Sequence, residues 1–327
     1  MKKKNSFLIM KRFLKPFDYI FVLRPTLFFP VWTVFLAGFF VQQKFSVAAI
    51  NTTTNDVSTT YQDRDFLIVG LFLTLLMGAV FILNQIRDRF TDHQNQKLFL
   101  IANGYLTPKA AFIEALILIA AAVICAFLFS NIMGFLFLII LIVTGIFYSF
   151  EPFSWKDKPI LGLFTNILGA VLIFGGGWII DGSVSQKLLL HALPYACAVA
   201  AVYLFTTLPD LQGDASSEKV TFGVKYGFKA TVYLGLFFEI LALFSSFRLN
   251  DEIIFYPAFF SLPFFVWAVV KLKINDVIRV IKYSILFLSL TICIKFHFYF
   301  FILVGVYLIS KIYYKLRFGI DYPNLSV

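Results

Sequence analysis

Charge, cysteine and histidine are all scarce in this chain of 327 residues. Charged side chains make up 14% of it and apolar ones 60%, against roughly 45–50% apolar in a soluble domain. That balance excludes an ordinary soluble fold and points to an integral membrane protein. The three cysteines, Cys125, Cys197 and Cys293, are scattered through apolar segments, so neither a disulfide framework nor a thiolate metal site organises the chain. His93, His191 and His297 show no metal-ligand spacing. Acidic residues are outnumbered by basic ones, 18 to 28, for a net charge of +10. The basic residues fall in short clusters between apolar runs, the pattern of loops facing anionic lipid, which makes membrane lipid the partner and excludes nucleic acid. At the amino terminus Lys2, Lys3 and Lys4 precede an apolar stretch that Lys11, Arg12 and Lys15 interrupt. With no small-residue cleavage site after it, this is not read as a signal peptide.

Apolar runs near the length needed to cross a bilayer, about 20 residues, occur at 25–41, 66–86, 110–129, 132–150, 160–180, 188–208, 230–247 and 254–270, with a ninth region at 283–310. They lack the alternation of barrel strands, and a backbone in lipid must satisfy its own hydrogen bonds. The expected fold is therefore all-α, a polytopic membrane bundle of about nine transmembrane helices. It forms one domain over 1–327, with a basic amino-terminal segment at 1–24 and a polar carboxyl-terminal tail at 311–327. The positive-inside rule places the amino terminus in the cytoplasm: the segments 1–24, 87–109, 151–159, 209–229 and 271–282 on that side hold twenty lysines and arginines, and the loops 42–65, 181–187 and 248–253 on the other side four, although nine crossings would leave Lys311, Lys315 and Arg317 of the tail outside. The Thr- and Asn-rich stretch 51–60 then reads as an external loop.

The few acids that exist are not scattered. Asn84, Asp88 and Asp92 stand four residues apart where an apolar run ends, so on a helix their side chains share one face over two turns. Half the chain away, Asp210 and Asp214 repeat the spacing at the same end of another run, with Lys219 following. Either cluster alone could be a solvated helix end. Matched spacing on the same predicted side favours a joint site. Oxygen ligands of this kind suit magnesium, which is commonly held by one or two carboxylates plus phosphate oxygens, and lysines nearby would add charge-assisted contacts to the same phosphate.

These residues resemble the UbiA superfamily of intramembrane prenyltransferases. Asn84, Asp88 and Asp92 match its Asn-x-x-x-Asp-x-x-x-Asp signature, and Asp210 and Asp214 match its Asp-x-x-x-Asp signature, with Gly213, Thr221 and Gly227 also familiar. Tyr148-Ser149-Phe150-Glu151-Pro152, followed by Lys156 and Lys158, is similar to its Tyr-Ser-x-x-Pro loop. Two departures are Gln85, where many members have Asp, and Glu151, where a second Pro is expected. The resemblance implies a bundle around a central cavity, Mg2+ as cofactor, and a prenyl diphosphate donor held at the acidic motifs. It also implies transfer of the prenyl chain to a small lipophilic or aromatic acceptor, here expected to be a quinone or pigment precursor. Glycerol-phosphate, sugar-phosphate and porphyrin acceptors occur in the same family.

By that resemblance, Asn84, Asp88, Asp92, Asp210 and Asp214 are the metal and diphosphate site. Arg87, Lys156, Lys158 and Lys219 would hold phosphate oxygens, and Tyr148 would steady a cation or orient a substrate. Arg24, just before Pro25, is read as an interface marker rather than a pocket residue. Gly175-Gly176-Gly177 lies inside an apolar run and reads as a close helix contact or a kink rather than a phosphate loop. The rival reading is a secondary transporter, which calls for acids midway along broken helices. Only Glu114, Glu239 and Lys295 interrupt the interiors of the runs.

Overall fold

A computed structural model describes residues 13–50, 64–94, 100–181, 184–216 and 219–323. The lysines at 2–4, Lys11, Arg12 and the expected loop at 51–60 lie outside these. Among the described residues the regular structure is helical: α1 (Phe28–Ile50), α2 (Asp65–Gln94), α3 (Pro108–Phe129), α4 (Asn131–Ile140, running on as a π-helical stretch Leu141–Phe147), α5 (Pro159–Trp178), α6 (Gln186–Thr206), the short α7 (Leu211–Ser216), α8 (Phe222–Arg248), α9 (Glu252–Lys271), α10 (Ile274–Lys295) and α11 (His297–Phe318).

Local chemistry sets several of these boundaries. Thr107 caps α3 by accepting the Ala110 N–H at 3.2 Å, with Pro108 in the first position, where no N–H is needed. Ser130 ends α3 and starts α4, accepting the Met133 N–H at 3.2 Å, so one residue turns the chain back on itself. Gly319, at φ +76°, closes α11 in the left-handed conformation that glycine tolerates.

Nine of the described helices are long and apolar enough to cross a membrane, and Asn131–Phe147 adds a shorter apolar one. The expected ninth region, 283–310, divides between Lys295 and His297 into α10 and α11. The expected cytoplasmic segment 271–282 is helical from Ile274 on, so Arg279 and Lys282 lie within α10. The expected tail at 311–327 is likewise corrected, because 311–318 is the last part of α11. Counting the shorter helix gives an even number of crossings, so both ends of the described chain meet at one end of the bundle. Arg317 on α11 donates to both carboxylate oxygens of buried Asp18, at 3.0 and 2.8 Å, and the Tyr313 hydroxyl donates to Asp18 at 2.7 Å.

The helices pack in sequence order for much of the bundle. α2 lies on α3, α5 on both α1 and α6, and α8 on both α6 and α9, with α10 against α9. The glycine stretch in α5 is a close contact. A Cβ on Gly177 would stand 1.9 Å from the Phe35 carbonyl oxygen of α1, and one on Gly38 would stand 2.0 Å from the Phe174 carbonyl oxygen of α5. In lipid, where exclusion of water gives little drive to helix association, such backbone approach supplies the packing. Some polar groups pair between helices: Trp32 Nε1 donates to Thr74 at 2.7 Å, and Thr33 joins Tyr299 and Ser289 across α1, α11 and α10 at 2.9 and 3.1 Å.

Candidate active site

The acids gather where α2 and α7 touch. α2 continues beyond its apolar part and carries Asn84, Asp88 and Asp92 along one stripe, spanning roughly 12 Å at 1.5 Å per residue. α6 ends at Thr206, and the turn that follows brings Asp210 in front of Asp214, whose N–H donates to the Asp210 carbonyl at 2.8 Å. Asp92 and Asp214 are buried, while Asn84, Asp88 and Asp210 are half-buried.

Two lysines connect these groups. Lys156 belongs to a tight turn, Trp155–Asp157, entered through Ser154 at φ +40°, and its side chain is buried. Its ammonium forms an ion pair with Asp88 and donates to Asn84 Oδ1 at 3.1 Å. With three N–H donors and two engaged, it has one left for an incoming oxygen. Lys219 lies 3.9 Å from Asp214 and also in the field of Asp88, so one ammonium serves both acidic motifs. Burial pushes Lys156 below the usual lysine range, against the pull of Asp88. Burial also works against Lys219, but the combined fields of Asp88, Asp214, Tyr148 and Asp157 outweigh it and hold its pKa above the ordinary value. Lys219 is thus fixed in its charged form.

The remaining expected residues separate into those inside and those outside. Tyr148 lies in the fields of Lys219 and Asp88 and beside Asn166. Arg87 turns to the rim and pairs with exposed Glu151 at 2.5 Å, which gives Glu151 a partner there. Lys158 is exposed at the head of α5, where its carbonyl accepts the Gly162 N–H at 2.7 Å. It is not drawn into the cluster with Lys156, because the turn sends the two side chains different ways. Gln85 faces away from the acids: its amide donates to the Val22 carbonyl at 2.7 Å and the Phe81 carbonyl at 3.2 Å, tying the segment before α1 to α2. Gly227 is the left-handed residue, φ +83°, inside α8.

Arg24 is a correction. It does not merely mark an interface, because its guanidinium lies in the fields of Asp92 and Asp88 at the end of the cluster. Three further residues were not among those expected from the sequence. Asp157 lies in the fields of Lys156 and Lys219, its carboxyl raised by burial against the pull of both lysines. Asn166 donates to the Gly162 carbonyl at 2.9 Å. Tyr203 lies in the fields of Tyr148, Asp214 and Asp157. An isolated polar residue near one end of an apolar helix is the only hint that Asn166 and Tyr203 offered.

The donor set is oxygen only, without histidine or thiolate, which fits magnesium. Among the described residues no three His, Cys, Asp or Glu side chains converge as a ready-made cage. That also fits, since magnesium usually takes one or two carboxylates and completes its shell with water and phosphate oxygens. Asn84, Asp88 and Asp92 on one side and Asp210 and Asp214 on the other are the groups that would hold it.

A family model described as the UbiA prenyltransferase family matches residues 31–291. Among curated proteins, the chain is 24% identical over 204 residues to the digeranylgeranylglyceryl phosphate synthase of Methanosarcina mazei, covering 62% of this chain and 69% of that one. It is 27% identical over 187 residues to the synthase of the same description from Natronomonas pharaonis, covering 57% and 65%. The fold is that of a UbiA homolog from Archaeoglobus fulgidus bound to GPP and Mg2+, with TM-score 0.64 at 16% identity, covering 84% of this chain and 98% of that one. A UbiA homolog from Aeropyrum pernix K1 gives TM-score 0.63 at 14% identity, covering 81% and 97%.

Proposed function

The chain belongs to the UbiA prenyltransferase family and is a prenyltransferase, and on that premise we propose that it takes its prenyl group from a prenyl diphosphate whose diphosphate rests between α2 and α7. The observation that carries this is Lys219, shared by Asp88 and Asp214, because it brings both acidic motifs into one electrostatic unit. The secondary-transporter reading falls with the family assignment. It is also at odds with the geometry, since the clustered acids sit at helix ends, and the intramembrane Glu239 is occupied by a hydrogen bond from Ser261.

In the reaction the allylic carbon–oxygen bond breaks and the bonding pair leaves with the diphosphate. Magnesium bound by the carboxylates would neutralise that leaving group. Lys156 donates its free N–H to a phosphate oxygen, and Lys219 adds a second fixed positive charge. Both contacts strengthen as negative charge develops, so they lower the barrier rather than only tightening binding. Tyr148, in the fields of Lys219 and Asp88, would present its ring to the allylic carbon as it becomes cationic. A nucleophilic oxygen or ring carbon of the acceptor then forms the new bond to that carbon and gives up its proton.

For the acceptor, the curated relatives favour the hydroxyl of a phosphate-bearing glycerol lipid over the aromatic ring expected from family frequency. A second anionic group also suits a mouth that carries Arg24 and Arg87 beyond the two lysines. The excess of lysine and arginine on the acid side supports a cytoplasmic mouth. The test is purified protein in lipid nanodiscs, given radiolabelled prenyl diphosphates of several lengths with glycerol-phosphate or aromatic acceptors, with and without magnesium. Magnesium-dependent transfer to the glycerol-phosphate lipid is expected. Transfer to the aromatic panel alone would reverse the acceptor assignment while leaving the donor assignment intact.

A further inference from the structure

Arg87 and Asp88 follow one another on α2, and roughly 100° of helix turn separates consecutive side chains. Arg87 points to the rim and Asp88 into the site, yet one stretch of chain, the turn between the π-helical stretch and α5, meets both. Glu151 accepts from Arg87 at 2.5 Å on the outside. Lys156, five residues later, pairs with Asp88 and donates to Asn84 on the inside. The stretch between these two contacts is stiff. The Phe150 carbonyl accepts the Phe153 and Ser154 N–H groups at 3.1 and 2.8 Å, and the Ser154 carbonyl accepts the Asp157 N–H at 3.0 Å. Phe153 and Trp155 also pack on Phe147, with ring centroids 4.3 and 4.9 Å away, which seats the turn on the π-helical stretch. A turn tied in this way moves as one body, so whatever holds Glu151 also sets the place of Lys156.

The two ion pairs differ in what disturbs them. A phosphate oxygen that draws the Lys156 ammonium competes with Asp88 for it, so the inner pair loosens as substrate arrives. The outer pair is exposed at the rim and takes no part in that exchange. We propose that Arg87 and Glu151 form an outer latch that holds the Lys156 turn against α2 while Lys156 shifts from Asp88 toward a phosphate oxygen, which makes Glu151 a positioning residue for Lys156. This rests on the reading of the site as the seat of a prenyl diphosphate. An exposed pair contributes little to folding, so the latch acts on where the ammonium stands and not on whether the bundle forms.

The test is a binding cycle with inorganic diphosphate and magnesium, read by calorimetry on protein in nanodiscs, alongside prenyl transfer and thermal melts. Glu151→Gln keeps the size and removes the charge. The Kd for diphosphate and the KM for the prenyl diphosphate should each rise roughly 5-fold, the upper end for one exposed ion pair, with the melting temperature unchanged. Arg87→Gln should match it, and the double variant should be no worse than either alone. In a Lys156→Gln background, where there is no ammonium to place, adding Glu151→Gln should cost nothing further. The gap between wild type and Glu151→Gln should close as salt rises, because exposed charges are screened. Wild-type affinity in Glu151→Gln, additive losses in either cycle, or tighter binding because Arg87 is freed for the phosphate would each overturn the latch. A wild-type protein that neither binds diphosphate nor transfers a prenyl group sinks the reading of the site, whereas any of those three results in an active enzyme sinks the latch alone.

Discussion

Lys156 reaches from the turn before α5 to pair with Asp88 on α2, and both partners are largely withdrawn from solvent, at 4% and 15% side-chain exposure. A carboxylate and an ammonium drawn together at a helix end between two other elements are held for a purpose beyond stability. A surface pair contributes little, and a buried one often only offsets its own desolvation.

The acids should be needed for turnover rather than for folding. Asp88→Asn and Asp214→Asn preserve size and are expected to lower kcat by about 100-fold or more, the scale of losing one charge-stabilising group at a reacting centre. The melting temperature should stay within a few degrees of wild type. Diphosphate release and thermal melts on the same preparations measure both. Chelation of magnesium should abolish release in the wild type, and added magnesium should restore it.

Lys156 should set the alkaline limb of activity. Burial lowers its pKa, so as pH rises it is the first of the two lysines to lose its proton and its charge. Lys219, held above the usual value, stays charged over the same range. Turnover should therefore fall on the alkaline side. Lys156→Arg, which remains protonated throughout, should move that fall to higher pH. A pH profile of kcat unchanged between wild type and the arginine variant would assign the limb elsewhere.

Arg317 and Asp18 form the buried pair on which the two ends of the chain depend, at 8% and 2% side-chain exposure. Arg317→Leu leaves Asp18 buried with Tyr313 as its hydrogen-bonding partner, and should destabilise the protein by about 3–5 kcal/mol, the usual cost of stranding a buried charge. Replacing both with leucine should recover much of that loss. Thermal unfolding in detergent would check both variants.

Gly177 tests the crossing of α1 and α5. Its missing Cβ lies 1.9 Å from a backbone oxygen, which cannot rotate away as a side chain could. Gly177→Ala should destabilise by about 1–3 kcal/mol through overpacking, while Gly305→Ala on α11, where a Cβ meets nothing within 4 Å, should have little effect. The same melts distinguish the two.

Helix content and the two acidic motifs were legible in the sequence because each leaves a local trace: a long apolar run, or side chains repeating at one helical face. The ends of helices were less legible. Arg279 and Lys282 fell in the expected cytoplasmic segment 271–282, yet charged side chains in the first turns of α10 can extend to the interface while the backbone stays helical. The partners of the acids were the hardest part. Arg24, Asp157, Asn166 and Tyr203 come from four separate elements, and nothing in their own neighbourhoods announces that tertiary packing will bring them together. Lys156 and Lys158 look equivalent in the sequence, and only the turn at Ser154 decides which of them is turned inward.

The bond between Asp18 and Arg317 closes the chain into a near-ring, with its described beginning and end side by side. The order in which the helices are synthesised is then separable from the way they pack. A circular permutant that links the two ends and opens the chain at the short connection between α8 and α9, on the opposite face, would keep every helix contact described above. Activity in such a permutant would show that the bundle is specified by its contacts and not by its starting point.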